Sequence, residues 1–445
     1  MWRLSPISVA IAWLAVLGIA FEAAGAPKQA AAKSQSAPQP TGSKSNVQSL
    51  GAVRPSNLVL PQFAVSSFAG SEVVAQVVQN DLRLADVAAP PTNSSAVAAA
   101  REQDRASGSV NLDAWAAAGV NYVLRGQLSG SEAQAELYDV ASKVRLFGKS
   151  YKGLRRGEER RLAHQIADYI ITALTNRPGI FSSLICALVD REGGTKEVVV
   201  MEPDGGALRQ LTNERALVAT PTWGKNGAEI YYTSYRDNNP DLYGITLNGQ
   251  RFEISRRPGL NTAPSWSEAV QRIALSLSKD GNSEIYTMTR DGRDLQRLTN
   301  TPDADTAPDW SPDGSQIVFT SDRGGRPQIY VMGSDGSNPV RISSQGYCDS
   351  PAWSPDGTKI VYVVREGGEF NLYYVEVAEG IPIQLTRGQG DNRDPSWAPD
   401  SRHLVFSSNR SGSKDLYLMS IDTKVAHPIA RGGYSSPSWG PLFGR

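Results

Sequence analysis

Any chemistry in this chain of 445 residues has to come from a few places, because it holds only three histidines and two cysteines. His164, His403 and His427 lie far apart in sequence, and none has a nucleophile or a second metal ligand at a usable spacing. Each reads as a structural polar residue. No Gly-x-Ser-x-Gly elbow is present, and no glycine-rich phosphate loop of the GxGxxG or GxxxxGK[ST] type. Cys186 and Cys348 belong to no CxxC pair, which disfavours zinc ribbons and thiol redox chemistry, and both are expected as free thiols. The segment Asp303-Ala-Asp305 has the start of a calcium loop but lacks its glycine and closing glutamate. Asp305, Asp309, Asp349 and Asp394 recur at equivalent places and could face a channel and hold a cation. The plainer reading, polar residues on a rim, is preferred. No catalytic residue, metal or cofactor is therefore expected.

Charge narrows the partners. Lys and Arg number 45 and Asp and Glu 45, a net charge of zero, so the chain has no field to draw it to a nucleic acid. Gly 41, Pro 27 and Trp 9 suggest a turn-rich β protein instead.

The elements that would position a site follow from a repeat. Six Pro-x-Trp tripeptides end at Trp223, Trp266, Trp310, Trp353, Trp397 and Trp439, spaced by 43, 44, 43, 44 and 42 residues. A fixed period near this length marks a propeller or a solenoid. Turns such as Ser311-Pro312-Asp313-Gly314 follow the tripeptide, with Pro and Gly where a type I turn prefers them. Alternating strands come next, and each unit ends at a pair such as Leu298-Thr299 or Leu385-Thr386. Residues 181–213 carry three strands without Pro-x-Trp, and the chain ends just after Trp439. The two fragments complete each other, which predicts an all-β six-bladed propeller closed by its C-terminal strand. The tryptophans would fill the wedges between blades. The short loops before each Pro-x-Trp converge on one channel mouth, the candidate binding site. They run from Leu217 to Thr220, Leu260 to Ala263, Ala304 to Ala307, Gly346 to Ser350, Asp391 to Asp394 and Gly433 to Ser436.

The N-terminal third is different. Residues 1–26 read as a cleavable signal peptide: Arg3, an apolar run from Ile7 to Ala20, then small residues to Ala26. That run is too short for a membrane span, so no direct span is expected after cleavage. Residues 27–54 contain no acid and no aromatic and read as a disordered linker. Residues 55–177 read as an α+β N-terminal domain, a small α/β unit in the order β-α-α-β-β-β-α. Its parts are a strand at 57–65, a helix from Glu72 to Ala85, and a Pro/Ala/Ser-rich loop from Ala88 to Gly108. A short helix capped by Asn111 and carrying Trp115 follows, then strands at 120–128, 133–140 and 144–151 and an amphipathic helix from Glu158 to Thr175. Arg155, Arg156, Arg160 and Arg161 read as a solvated helix end. Pro178-Gly179 marks the boundary to the propeller at 178–445.

Over about residues 57–440 the chain resembles the TolB family of the Tol-Pal envelope system. The resemblance rests on the Pro-x-Trp-Ser-Pro-Asp-Gly repeats, on Trp115 with Gly119 through Gly126, and on Gly179-Ile180-Phe181 entering the propeller. It implies a non-enzymatic periplasmic scaffold supporting outer-membrane integrity and cell-division constriction, acting as a monomer. The implied partners are a Pal-like peptidoglycan-associated lipoprotein at the propeller mouth and a TolA-like inner-membrane protein reached through the N-terminal segment. Carried over by position, the lipoprotein contacts fall on Thr220, Ala263, Thr306 and Ala307, with Leu260 standing where the family has a histidine. Thr262, Asp305, Ser350 and Asp394 complete the expected partner-binding set on the same mouth. The rival readings are a propeller hydrolase or lactonase with a channel-bound calcium, and a periplasmic ligand-binding sensor.

Overall fold

The computed structural model describes residues Val59–Phe443. The signal peptide and the linker expected at 1–26 and 27–54 lie outside the described residues, as do residues 55–58.

An α/β domain comes first. Strand β1 (Phe63–Ala69) starts later than the 57–65 expected. Pro61 lacks the N–H a ladder needs, so regular pairing begins beyond it. Helix α1 (Glu72–Leu84) is capped by the Ser71 side chain and buries Val74, Val78 and Leu82. A helix replaces the expected loop at 88–108: α2 (Ser94–Ser107) is capped by Asn93 and ended by Gly108 in the left-handed region. The alanine-rich composition that looked structureless is a strong helix former once both ends are capped. Helix α3 (Leu112–Ala117) is capped by Asn111 as expected. Strands β2 (Tyr122–Ser129), β3 (Glu132–Asp139) and β4 (Val144–Tyr151) lead to α4 (Glu159–Thr175). The order is therefore β-α-α-α-β-β-β-α, one helix more than the sequence suggested.

The sheet runs β1-β2-β3-β4, with β1 parallel to β2 and the rest antiparallel. Helices α1 and α4 pack on it through Val74, Val78, Leu162 and Ile166 against Phe63, Val65 and Leu137. A separate cluster joins α2 and α3 to the sheet through Val97, Trp115, Ala64 and Val123. Trp115 is wholly buried, and its indole N–H donates to Asp104 at 2.7 Å, which satisfies the one polar atom that burial would otherwise strand.

A β-propeller of four-stranded antiparallel sheets follows. Its inner strands are Val218–Trp223, Asn261–Ser267, Asp305–Trp310, Tyr347–Trp353, Asn392–Trp397 and Tyr434–Trp439. Each lies against the next in this order, and the last lies against the first. The last inner strand, Tyr434–Trp439, pairs with Ile185–Asp190, which continues to Lys196–Met201 and Arg209–Gln210. The tryptophans wedge between sheets: Trp353 packs with Val318 and Ile329 of the sheet before it, and Trp397 with Val361 and Val363. Cys186 and Cys348 are buried free thiols.

A second repeat escaped the sequence reading. Near the start of the third strand of each sheet stand Glu197, Asp241, Glu284, Gln328, Asn371 and Asp415, all buried. Four of them accept a hydroxyl from the end of the fourth strand: Thr212 to Glu197, Thr299 to Glu284, Ser343 to Gln328 and Thr386 to Asn371. The closing pairs Leu211-Thr212, Leu298-Thr299, Ile342-Ser343 and Leu385-Thr386 are one half of this polar staple.

Candidate functional site

The channel is lined by the inner strands, and one backbone feature recurs in all of them. Thr220, Ala263, Ala307, Ser350, Asp394 and Ser436, each just before the Pro of Pro-x-Trp, adopt a left-handed conformation with φ between 47° and 52°. Proline after them excludes the right-handed helical region, and the extra residue of a bulge is taken up there. The register of every inner strand against its neighbour shifts at this point. All six residues are half-buried. The mouth is therefore made from bulged strand, where the sequence reading had placed loops. Thr220, Thr262, Ala263, Asp305, Thr306, Ala307, Ser350 and Asp394 are all strand residues, and only Leu260 precedes its strand.

Hydrogen bonds link these positions from sheet to sheet. The Ala263 N–H donates to Thr220 Oγ1 at 3.1 Å, which lies 3.4 Å from Thr262 Oγ1. The Ala307 N–H donates to Ser276 Oγ at 3.1 Å, and the Ser436 N–H to Asp394 Oδ2 at 3.1 Å. Thr220, Thr262, Ala263 and Ala307 are thus brought to one arc, with Ser350 and Asp394 on the inner strands beyond it. Two of the expected contacts are not surface groups: Thr262 is 2% exposed and Asp305 is fully buried.

The acids considered for a cation are engaged by the protein. Asp305 accepts from Arg323 at 2.8 Å. Asp309 accepts from Ser265 Oγ at 2.7 Å and from the Trp353 N–H at 2.8 Å, so one carboxylate spans three sheets. Burial pushes Asp309 up to about 6, against the pull of those two donors. Burial also raises Asp349, which accepts from the Ser350 N–H and the Thr320 hydroxyl. These carboxylates hold inner strands together, which is the work that the plainer rim reading left unassigned.

A second constellation joins the α/β domain to the propeller, and the three histidines, which the sequence left as structural polar residues without named partners, all lie in it. His164 on α4 is buried, with Nδ1 2.7 Å from Asp81 of α1 and Nε2 3.2 Å from Glu202 of the propeller. Burial alone would lower this imidazole, but the hydrogen bonds to Asp81 and Glu202 outweigh it and carry it up to about 10. Arg160, one turn earlier, donates to Glu202 at 2.6 Å and to both oxygens of Asp204 at 2.7 and 2.6 Å. It is not part of a solvated helix end; Arg161, paired with Glu158, is. The sequence hides this because Arg160 and its acids are more than forty residues apart.

The other two histidines hold the C-terminal end of α1. His403 Nδ1 is 2.6 Å from Asp400, and Nε2 is 3.3 Å from the Ala85 carbonyl. His427 sits between the Arg83 guanidinium at 3.1 Å on Nδ1 and Asp86 at 2.8 Å on Nε2, which suits the tautomer with its proton on Nε2. His164, Glu202 and Asp204 are close enough to hold a metal. Arg160 already occupies that space with a forked guanidinium, so the group reads as an ion-pair network.

The turn that carries Glu202 and Asp204 has no room to spare. A Cβ on Gly205 would stand 1.8 Å from the Ile429 carbonyl oxygen, and its φ is 83°. Gly205→Ala is expected to cost about 2 kcal/mol or more, from backbone strain and overpacking together. Chemical denaturation with an unchanged midpoint would show that the turn relaxes freely.

Comparison with known proteins agrees with this architecture. Residues 171–443 match the TolB beta propeller domain family and residues 51–146 the TolB amino-terminal domain family. The chain is 37% identical over 135 residues to the Tol-Pal system protein TolB of Syntrophotalea carbinolica, covering 29% of this chain and 31% of that protein. It is 33% identical over 210 residues to the Tol-Pal system protein TolB of Bordetella avium, covering 45% and 46%. These alignments span about a third to a half of the curated relatives. The crystal structure of TolB from Acinetobacter baumannii superposes with a TM-score of 0.77 at 28% identity, covering 86% of this chain and 97% of that one. With more than half its length matched by the propeller family and an α/β domain of the companion type before it, the chain belongs to the TolB family.

Proposed function

We propose that the chain is a non-catalytic scaffold of the Tol-Pal system, working in the periplasm as a monomer. It binds a Pal-like lipoprotein at the propeller mouth and a TolA-like inner-membrane partner through its N-terminal segment, in support of outer-membrane integrity and cell-division constriction. The reading takes the domains as 55–177 and 178–445, and the propeller as six blades sealed by the C-terminal strand. The pairing of Tyr434–Trp439 with Ile185–Asp190 supports that closure. Among the described residues no helix is long and apolar enough to cross a membrane.

The observation that carries the reading is the arc of bulged, left-handed inner-strand residues at the mouth. It offers half-buried side chains on a fixed backbone, the setting in which short contacts hold a protein partner without chemistry. Thr220, Leu260, Ala263, Thr306, Ala307, Ser350 and Asp394 would touch the lipoprotein, with buried Thr262 and Asp305 supporting them from behind.

Pulldown from envelope extracts tests this. Recovery of a Pal-like lipoprotein is expected, and Ala263→Arg or Thr306→Arg should weaken it by roughly tenfold or more. Absence of such a partner, together with calcium-dependent esterase activity, would instead favour the channel hydrolase.

A further inference from the structure

The α/β domain ends in an open strand. β4 has β3 as its one neighbour in the sheet. All its residues are exposed except buried Phe147 and half-buried Tyr151, so the outer row of its backbone N–H and C=O groups faces solvent. The strand is nonetheless held firmly. Phe147 meets Tyr169 of α4 edge to face at 4.7 Å, and the Lys149 ammonium stands 4.2 Å above the Tyr169 ring. Two apolar side chains, Val144 and Leu146, project from it 51% and 42% exposed. A rigid, unpaired edge with apolar side chains is the surface to which an extended peptide adds as a further strand.

Charge selects the occupant. From Val140 to Gly157 the chain has no acid and six cations: Lys143, Arg145, Lys149, Lys152, Arg155 and Arg156. Three of these are paired, Lys143 with Asp113, Arg145 with Glu136 and Lys152 with Glu132. Lys149, Arg155 and Arg156 are exposed and form no ion pair among the described residues. A second copy of this chain would bring the same cations against themselves. The segment 27–54 of the chain carries Lys28, Lys33, Lys44 and Arg54 and no acid, so it is repelled as well. Cations on an open edge thus discourage pairing with like chains while leaving the edge available to an acidic one.

We propose that the free edge of β4 is a docking edge for an extended acidic segment of a partner protein, which adds as a fifth strand beside Val144, Leu146 and Lys149. It belongs to the α/β domain and not to the inner strands of the propeller, so it would allow a further partner to be held beside one at the mouth.

The probe is a short fluorescent peptide of alternating valine and glutamate, titrated against the purified full chain and followed by anisotropy, with a valine–lysine peptide as control. The acidic peptide should bind and the basic one should not, and amide exchange should slow along β4. Lys149→Glu and, independently, Arg156→Glu should each weaken binding by about tenfold. Arg156 is exposed and forms no ion pair among the described residues, so the thermal midpoint of Arg156→Glu should match the parent, whereas Lys149→Glu also gives up the contact with the Tyr169 ring and should melt slightly lower. The proposal is overturned if the acidic peptide does not bind, if binding ignores both charge reversals, or if binding leaves β4 amide exchange unchanged.

Discussion

Replacing His164 by leucine is expected to destabilise the chain by about 3–5 kcal/mol, because it leaves the buried Asp81 carboxyl facing an apolar side chain. Asp81 is wholly buried, and one of its oxygens already has no hydrogen-bond partner, so loss of the imidazole removes its remaining contact with a cation. Glu202 would keep Arg160, and Asp81 would keep nothing equivalent. The effect should depend on pH with a definite sign. The imidazole is raised above its ordinary value, so its stabilisation is complete below about 6.5 and fades as pH rises through about 10. Glu202 works in the other direction. Burial would raise its carboxyl, but His164 and Arg160 hold it below its usual value, so its contribution is present at neutral pH and is lost in acid. Denaturation of the parent chain at pH 6.5 and 9.5 should show a fall toward the higher pH, with a different slope in His164→Leu, where the buried Asp81 carboxyl, already raised to about 7, is left to titrate without the imidazole that lowers it. Equal pH slopes for the two proteins would remove His164 from the account.

A chain ending at Gly433 is expected to lose its cooperative thermal transition. The truncation removes the strand Tyr434–Trp439 and leaves Ile185–Asp190 with an open edge. It also removes Trp439, which is 7% exposed and donates its indole N–H to Ser183 at 2.8 Å. The carbonyl of Ser438, which accepts the indole N–H of Trp223, goes with it. Truncating one buried tryptophan alone costs about 3–5 kcal/mol, against a total stability of about 5–15 kcal/mol for a typical domain. The loss reaches beyond one sheet, because Trp439, Tyr434, Val189 and Val199 share a hydrophobic cluster with Leu162 and Ile166 of α4. Circular dichroism should therefore show the α/β domain loosening together with the propeller. A truncated chain that melts as the full one does would refute closure by the C-terminal strand.

The elements legible in the sequence were those whose signal is local. The helix from Glu72 and the one ending at Thr175 declared themselves by apolar spacing, the Asn111 cap by its residue type, and the hairpin of β3 and β4 by alternation and closeness in sequence. Helix α2 did not, because alanine and serine form no apolar stripe, and its evident signals, Asn93 and Gly108, are also turn residues. The mouth was legible as a position and not as a conformation. Thr220 and its counterparts were found from the repeat, yet a residue before proline gives no sign that it will take a left-handed bulge.

Sequence by itself determined the period of the propeller, because Pro-x-Trp recurs in every unit, with a turn after it and in most units a closing Ser or Thr, and all of these are short-range instructions. It also determined the family, through repeats and an N-terminal unit that occur together. Only the tertiary structure decided what the three histidines do. Each meets its cross-domain partner more than thirty residues away in sequence: His164 meets Glu202, His403 meets Ala85 and His427 meets Asp86. Spacing cannot report such pairs, since charged groups find one another through packing of α1 and α4 against the propeller. A similar limit hid the acids at the channel: Asp309 looked like a candidate cation ligand until Ser265 and Trp353, from the sheets on either side, were seen to satisfy it.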